Sequence, residues 1–150
     1  MSAYEIVTVA RLDTAVVPAH VAFAELPNAE RSARRKLAEA LPKLAVAPTG
    51  ETFTLSRAPK DGKIYIEPGV IVARPFAQAG DVVASSLPAG RAVRYLLIGP
   101  FEQLPQAWPA LFTWCREQGL KAEGTFWQIY GPDAADPAKQ ETTLYALLTG

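Results

Sequence analysis

Histidine and cysteine, the residues that most often carry covalent or metal chemistry, occur once each, as His20 and Cys115. A structural zinc site needs four such ligands, so this pair cannot hold one. A Ser–His–acid triad would have to use His20. Yet no Gly-x-Ser-x-Gly turn occurs, and Ser85-Ser86 lies in an ordinary strand pattern before a loop. Cys115 falls mid-helix among aromatics, where a thiol behaves as an inert small hydrophobe. No glycine-rich phosphate loop follows a strand, because Gly50-Glu51-Thr52 lacks both a second glycine and a lysine. The expectation is therefore no catalytic residue, no metal and no cofactor.

What remains is the chemistry of non-covalent binding. The run Phe126 to Tyr130 alternates, so Phe126, Gln128 and Tyr130 share one strand face and Trp127 and Ile129 the other. A buried Gln128 amide must be hydrogen-bonded, since leaving it unpaired costs about 1–3 kcal/mol. On an exposed edge strand it would carry no such demand. From about Leu104 to Gln118 the sequence is apolar around most of a helix's girth: Leu104, Trp108, Leu111 and Cys115 follow one face, while Phe112 and Trp114 point elsewhere. Such a helix is buried on two sides, or packs on one side and lines a pocket with another, Trp108 being the leading pocket candidate. Tyr65 and Tyr145 occupy comparable last-strand positions and suit either ligand stacking or cross-strand packing. Arg31, Arg34, Arg35 and Lys36, diluted by Glu30 and Glu39, read as a solvated helix face.

The elements that position these residues follow from periodicity. Tyr4–Ala10 and Ala15–Val17 are strands, the second closed by Pro18. Pro27-Asn28 supplies a stop and an N-cap. Then Ala33, Leu37, Leu41 and Leu44 recur at helical spacing. Thr52–Ser56 and Ile64–Ile66 form a hairpin about the turn Pro59-Lys60-Asp61-Gly62, and Val70–Val72 extends past the Pro68-Gly69 break. Val82–Ser86 and Ala92–Ile98 are strands before the second helix, which Gly119 ends. Phe126–Tyr130 and Thr142–Leu148 complete the sheet. Gly50-Glu51-Thr52-Phe53-Thr54-Leu55 matches Gly124-Thr125-Phe126-Trp127-Gln128-Ile129, placing Phe53 against Trp127 and Leu55 against Ile129. This predicts a duplicated half-domain, about 1–78 and 79–150. The halves should pair into one antiparallel sheet, because each alone leaves an edge and an apolar face uncovered.

Composition narrows the class. With 150 residues, one domain spanning 1–150 can bury a single core. Fifteen basic residues balance fifteen acidic ones, against the basic excess that phosphate contacts require, so no direct nucleic-acid binding is expected. The unpaired cysteine suits a reducing cytoplasm, and no signal peptide or membrane-spanning run is read.

The stretch from Ser86 onward carries Leu87-Pro88-Ala89-Gly90-Arg91-Ala92, then Gly99-Pro100-Phe101-Glu102, then Leu111-Phe112-x-Trp114-x-x-x-x-Gly119. Gly124-x-Phe126-x-Gln128-Ile129-Tyr130 and a closing strand near Leu147 follow. In this order the motifs resemble the GyrI-like effector-binding domains, found fused to bacterial transcription regulators of the AraC and MerR types and also alone. The resemblance implies an α+β fold: tandem βαββ units, one curved antiparallel sheet, two main helices, and an aromatic ligand cleft between the halves. It places Gln128 and Tyr130 in that cleft, with Trp108, Phe112, Tyr145, Phe53 and Tyr65 as further ligand-binding candidates. The family usually has glutamate where Gln128 stands and a second acid where Thr143 stands. Both departures weaken the case for cation preference and for hydrolysis, and Glu67 or Glu141 would have to supply an acid instead. The expected role is a stand-alone, cytoplasmic protein, monomeric or weakly dimeric, that binds or sequesters a hydrophobic or aromatic small molecule, cationic ones included. The alternatives are a hydrolase of small electrophilic xenobiotics and a gyrase-inhibitor-like protein-interaction module.

Overall fold

The computed structural model describes residues 3–44, 48–77 and 80–149. Its strands are β1 (Glu5–Val9), β2 (Leu12–Val16), β3 (Ala19–Ala22), β4 (Pro48–Lys60), β5 (Lys63–Val72), β6 (Val83–Leu87), β7 (Gly90–Ile98), β8 (Ala122–Tyr130) and β9 (Glu141–Leu148). The helices are α1 (Leu26–Ala40) and α2 (Leu104–Glu117), each led in by a short 3-10 turn, Phe23–Glu25 and Phe101–Gln103. The fold is α+β, as the sequence predicts. All strands join one antiparallel sheet in the order β1-β7-β9-β8-β4-β5-β2-β6, with β3 also on β5.

Two βαββ units are visible in that order. The unit β2-α1-β4-β5 lies as β4-β5-β2, and β7-α2-β8-β9 lies as β8-β9-β7. They meet at β4 and β8, where Phe53 opposes Ile129, Thr54 opposes Gln128 and Leu55 opposes Trp127. The aligned repeat pairs Phe53 with Trp127 and Leu55 with Ile129, so these cross-strand contacts are each other's images. A pseudo-twofold axis thus passes between Thr54 and Gln128. The leading strands are exchanged: β1 precedes β2 in sequence but pairs with β7, and β6 precedes β7 but pairs with β2. The boundary near 78/79 lies outside the described residues.

Only Ala10 and Arg11 join β1 to β2, though these strands stand toward opposite ends of the order. The sheet must therefore curl, and it forms a half-barrel. Its interior is the cluster Val16, Phe53, Leu55, Ile71, Leu87, Ala92 and Trp127, with Val9 of β1 and Val83 of β6 packed against it. Both helices lie on the outer face. Ala33 and Leu37 of α1 cover Ala15, Val70 and Val82, while Leu111 and Cys115 of α2 cover Val93, Leu144 and Ala146.

Several local expectations change. Pro27 starts α1 instead of stopping the chain, because a first-turn proline gives up only a donor that has no helical partner. Asn28 accordingly sits inside the helix. Pro109 lies within α2, which continues through it. After Pro18 the chain resumes as β3 along the hairpin end of β5, a strand too short to show periodicity. Tyr65 and Tyr145 are not equivalent: Tyr145 opposes Trp127, whereas the matching partner of Phe53 is Gly69. A Cβ on Gly69 would stand 2.4 Å from the Ala15 carbonyl oxygen and 3.1 Å from Phe53 Cζ. The Asp61-Gly62 turn fits its sequence, with φ of 54° and 76° in a two-residue hairpin.

Candidate functional site

Directly opposed residues of paired strands project to one face. On the helix side of the β4–β8 seam this rule places Thr52, Thr54 and Ser56 beside Tyr130, Gln128 and Phe126. From α2, Trp108 leans over the seam with its ring 4.8 Å from Phe126 and 5.8 Å from Phe112. Phe101, at the lead-in to α2, meets Tyr130 edge-on at 5.7 Å. Trp108, Phe112, Phe126, Gln128 and Tyr130 are all half-buried, so this aromatic surface is neither sealed core nor open face. The helices flank the seam without packing extensively on one another.

A run of hydrogen bonds crosses the axis beneath these rings. Trp108 Nε1 donates to Gln128 Oε1 at 2.7 Å, and Gln128 Nε2 donates to the Tyr130 hydroxyl at 2.8 Å. The Tyr130 and Thr54 hydroxyls are 3.0 Å apart, and Thr54 Oγ1 donates to Glu30 Oε1 at 2.7 Å. Arg34 donates to the carbonyls of Phe53 and Gly69 at 2.6 and 2.8 Å and to Thr54 Oγ1 at 3.2 Å. Its guanidinium also lies 5.6 Å from the Tyr130 ring centre. Burial raises the Glu30 carboxyl above its ordinary pKa, against the lowering effects of Thr54 and Arg34. Burial, and then the Glu30 charge, likewise raise Tyr130.

The structure thus brings Gln128, Tyr130, Trp108 and Phe112 together and places the other candidates on the opposite face. Phe53 is fully buried inside the half-barrel. Tyr145 stacks on Trp127 at 5.3 Å, and Tyr65 donates to Glu67 at 2.6 Å. Glu67 also accepts from Ser85 at 2.8 Å, is buried, and faces away from Gln128; Glu141 is exposed at the start of β9. Neither acid joins the seam. Trp114 stacks on Tyr4 at 5.1 Å, away from Trp108. His20 is exposed on β3, and Cys115 is buried with its thiol pushed up by that burial. Among the described residues no group of three His, Cys, Asp or Glu could hold a metal ion. A surface depression of about 340 Å³ lies elsewhere, between the C-terminal part of α1 and Gly80–Val82.

Sequence reasoning missed Glu30 and Arg34. Their i,i+4 spacing reads as a solvated ion pair, but both are only about 30% exposed and turn toward β4. A signal was present. Phe23-Ala24-Glu25-Leu26-Pro27 repeats as Phe101-Glu102-Gln103-Leu104-Pro105, and aligning the two segments sets Glu30 on Trp108 and Arg34 on Phe112.

A family model for the GyrI-like small molecule binding domain matches residues 2–148. No curated protein matches. The EcmrR–DNA complex contains a chain similar to this one at a TM-score of 0.83 and 16% identity, over 97% of this chain and 56% of that chain. The present chain therefore spans little more than half of that protein. SAV2435 bound to tetraphenylphosphonium superposes at a TM-score of 0.74 and 13% identity, over 98% and 94% of the two chains. A hydrolase encoded by lin2189 of Listeria innocua gives a TM-score of 0.60 and 14% identity, over 97% and 91%. At these identities the likeness is one of fold.

Proposed function

The chain belongs to the GyrI-like small-molecule-binding family, and on that footing we propose that it binds or sequesters a hydrophobic or aromatic molecule between α1 and α2. The observation that carries this reading is the half-buried surface of Trp108, Phe112, Phe126 and Tyr130 over a floor whose polar groups are largely bonded to each other. A flat apolar body laid there buries area worth about 25 cal/mol per Å² before association costs, and stacks on rings already held in place. The paired floor leaves few polar groups that such a body would strip of water without replacement. SAV2435, a fold neighbour, is described bound to a hydrophobic cation. The protein is expected to act as a monomer or weak homodimer without touching nucleic acid itself.

The test is a thermal-shift screen with aromatic cations, neutral aromatics and anions, followed by titration of tryptophan fluorescence. A ligand at about 100 times its Kd should stabilise the fold by about 2.7 kcal/mol. Trp108→Ala should weaken binding by about tenfold or more, since an aromatic contact and a well-packed wall are both lost. Absence of any stabilising aromatic, or binding indifferent to Trp108→Ala, would overturn the reading.

Hydrolysis of a small electrophile is the second reading. The Glu30 carboxyl favours it: a carboxyl raised by burial and linked through Thr54 to Tyr130 is a candidate for proton transfer. Product formation from an electrophilic substrate, lost in Glu30→Gln, would separate it from binding alone.

A further inference from the structure

The pseudo-twofold axis gives Tyr130 an image position, and Ser56 stands in it. With Phe53 matched to Trp127, Ser56 matches Tyr130 and Thr52 matches Phe126. The Tyr130 ring is enclosed on several sides. Phe101 meets it edge-on at 5.7 Å, the Arg34 guanidinium lies 5.6 Å from its centre, and Thr52 opposes it on β4. Its hydroxyl points to the axis, 2.8 Å from Gln128 Nε2 and 3.0 Å from Thr54 Oγ1.

Each of these neighbours has an image around Ser56. Phe23 is the image of Phe101, since each opens the 3-10 turn that leads into its helix. The strand ends before them agree: His20 opposes Tyr65 as Ile98 opposes Glu141. Phe112 is the image of Arg34, Phe126 that of Thr52, and Thr54 and Gln128 exchange places. Only the central ring has no image. Ser56 supplies a hydroxymethyl where its twin supplies a phenol, and Phe23 makes no ring contact among the described residues. Phe23 is exposed, and Ser56, Phe112 and Phe126 are half-buried, so this surface is open to a ligand.

The polar row at the axis can take one more hydroxyl. Thr54 gives its single proton to Glu30 and receives Tyr130 and Arg34, so its capacity is spent. Among the described residues the Gln128 amide accepts from Trp108 and donates to Tyr130, which leaves it one N–H and one carbonyl lone pair. A neutral hydroxyl donates and accepts at once, and so answers both. We propose that the cleft holds a second ring place, over Ser56 and beside Phe23, which takes a neutral hydroxyaromatic compound. The ligand ring would stand to Phe23 and Phe112 as Tyr130 stands to Phe101 and Arg34, with its hydroxyl on the Gln128 amide. This inference rests on the cleft reading above and names the class of ligand: the compound supplies the phenol that the first half lacks.

Three probes on one skeleton test it by equilibrium dialysis: 3-phenylphenol, its methyl ether 3-methoxybiphenyl, and biphenyl. At a pH of about 7 the phenol keeps its proton, its ordinary pKa being about 10. The wild type should bind 3-phenylphenol about fivefold more tightly than either other probe, the worth of one hydrogen bond that replaces water. Gln128→Met should bring the three to within about twofold of each other. Ser56→Tyr installs the ring of the other half; it should fold with an unchanged or higher melting temperature and bind every probe at least about tenfold more weakly. Phe23→Ala removes an exposed side chain, should leave the fold intact, and should weaken 3-phenylphenol about fivefold; it decides the matter if Ser56→Tyr does not fold. Binding of 3-phenylphenol indifferent to Phe23→Ala, or a preference for it that survives Gln128→Met, overturns the second ring place and leaves the cleft reading standing. Failure of all three probes to bind, or biphenyl binding indifferent to Trp108→Ala, overturns the cleft reading and this inference with it.

Discussion

Thr54 sits where a hydroxyl is asked to satisfy a carboxylate, a guanidinium and a phenol at once, and the Glu30 beside it bears the consequence. Burial raises the Glu30 carboxyl above its free value of 4.5, so the folded state holds that proton more readily than the unfolded chain. The stabilising effect is complete below the unfolded value and is lost as pH rises through the folded one. Denaturant unfolding of wild type and Glu30→Gln should therefore show the wild type losing ground relative to the variant as pH climbs from about 4 toward neutrality. A difference independent of pH over that span would mean that Glu30 keeps its free pKa in the fold.

Gly69 decides the packing of a whole strand. In β8 and β9 the aromatic of the seam, Trp127, stacks on Tyr145; in β4 and β5 the matching Phe53 faces no side chain, and its ring fills the space over Gly69. Arg34 then caps the carbonyls of both residues, tying α1 to the strands it covers. A Cβ on Gly69 would meet the Ala15 oxygen at 2.4 Å and Val16 Cγ1 at 2.6 Å, and the first is main chain. Gly69→Ala should cost about 3 kcal/mol, the upper part of the usual range for overpacking, measured by urea denaturation. Because α1 is anchored at that point, near-ultraviolet dichroism from Tyr130 should change as well. A loss below about 0.5 kcal/mol, the level of an ordinary surface change, would show that the strands shift apart at little expense.

At the scale of the molecule, exchange of the leading strands makes the halves interdependent. β1 covers β7 across most of the chain's length, and β6 covers β2, so each unit completes its sheet with a strand the other half supplies. The interior cluster draws on both, with Phe53 and Leu55 from β4 and Trp127 from β8. Expressed alone, a fragment covering residues 80–150 should show weak, non-cooperative unfolding, since it lacks β1 and leaves β8 as an open apolar edge. Mixing it with residues 1–77 should restore a cooperative transition and the blue-shifted emission of a buried Trp127. A fragment that unfolds cooperatively by itself would show that the second unit is self-sufficient.

Much of the architecture was legible in the chain. β-branched alternation, the Asp-Gly turn, Gly119 after α2, and the match of Gly50–Leu55 with Gly124–Ile129 are local features, and local sterics dictate most of what each does. The same locality put Gln128 and Tyr130 on one face with no knowledge of the partner strand. Glu30 and Arg34 could not be placed in this way. On an isolated helix they are an ion pair facing water, and only the packing of α1 beside β4 turns that side of the helix toward Thr54. Phe53, Tyr65 and Tyr145 went to the face opposite the helices for a related reason: strand alternation divides residues between two faces but does not say which face the helices will cover. That choice, the exchanged strands and the carboxylate at the seam belong to contacts distant in sequence, and the tertiary structure alone decided them.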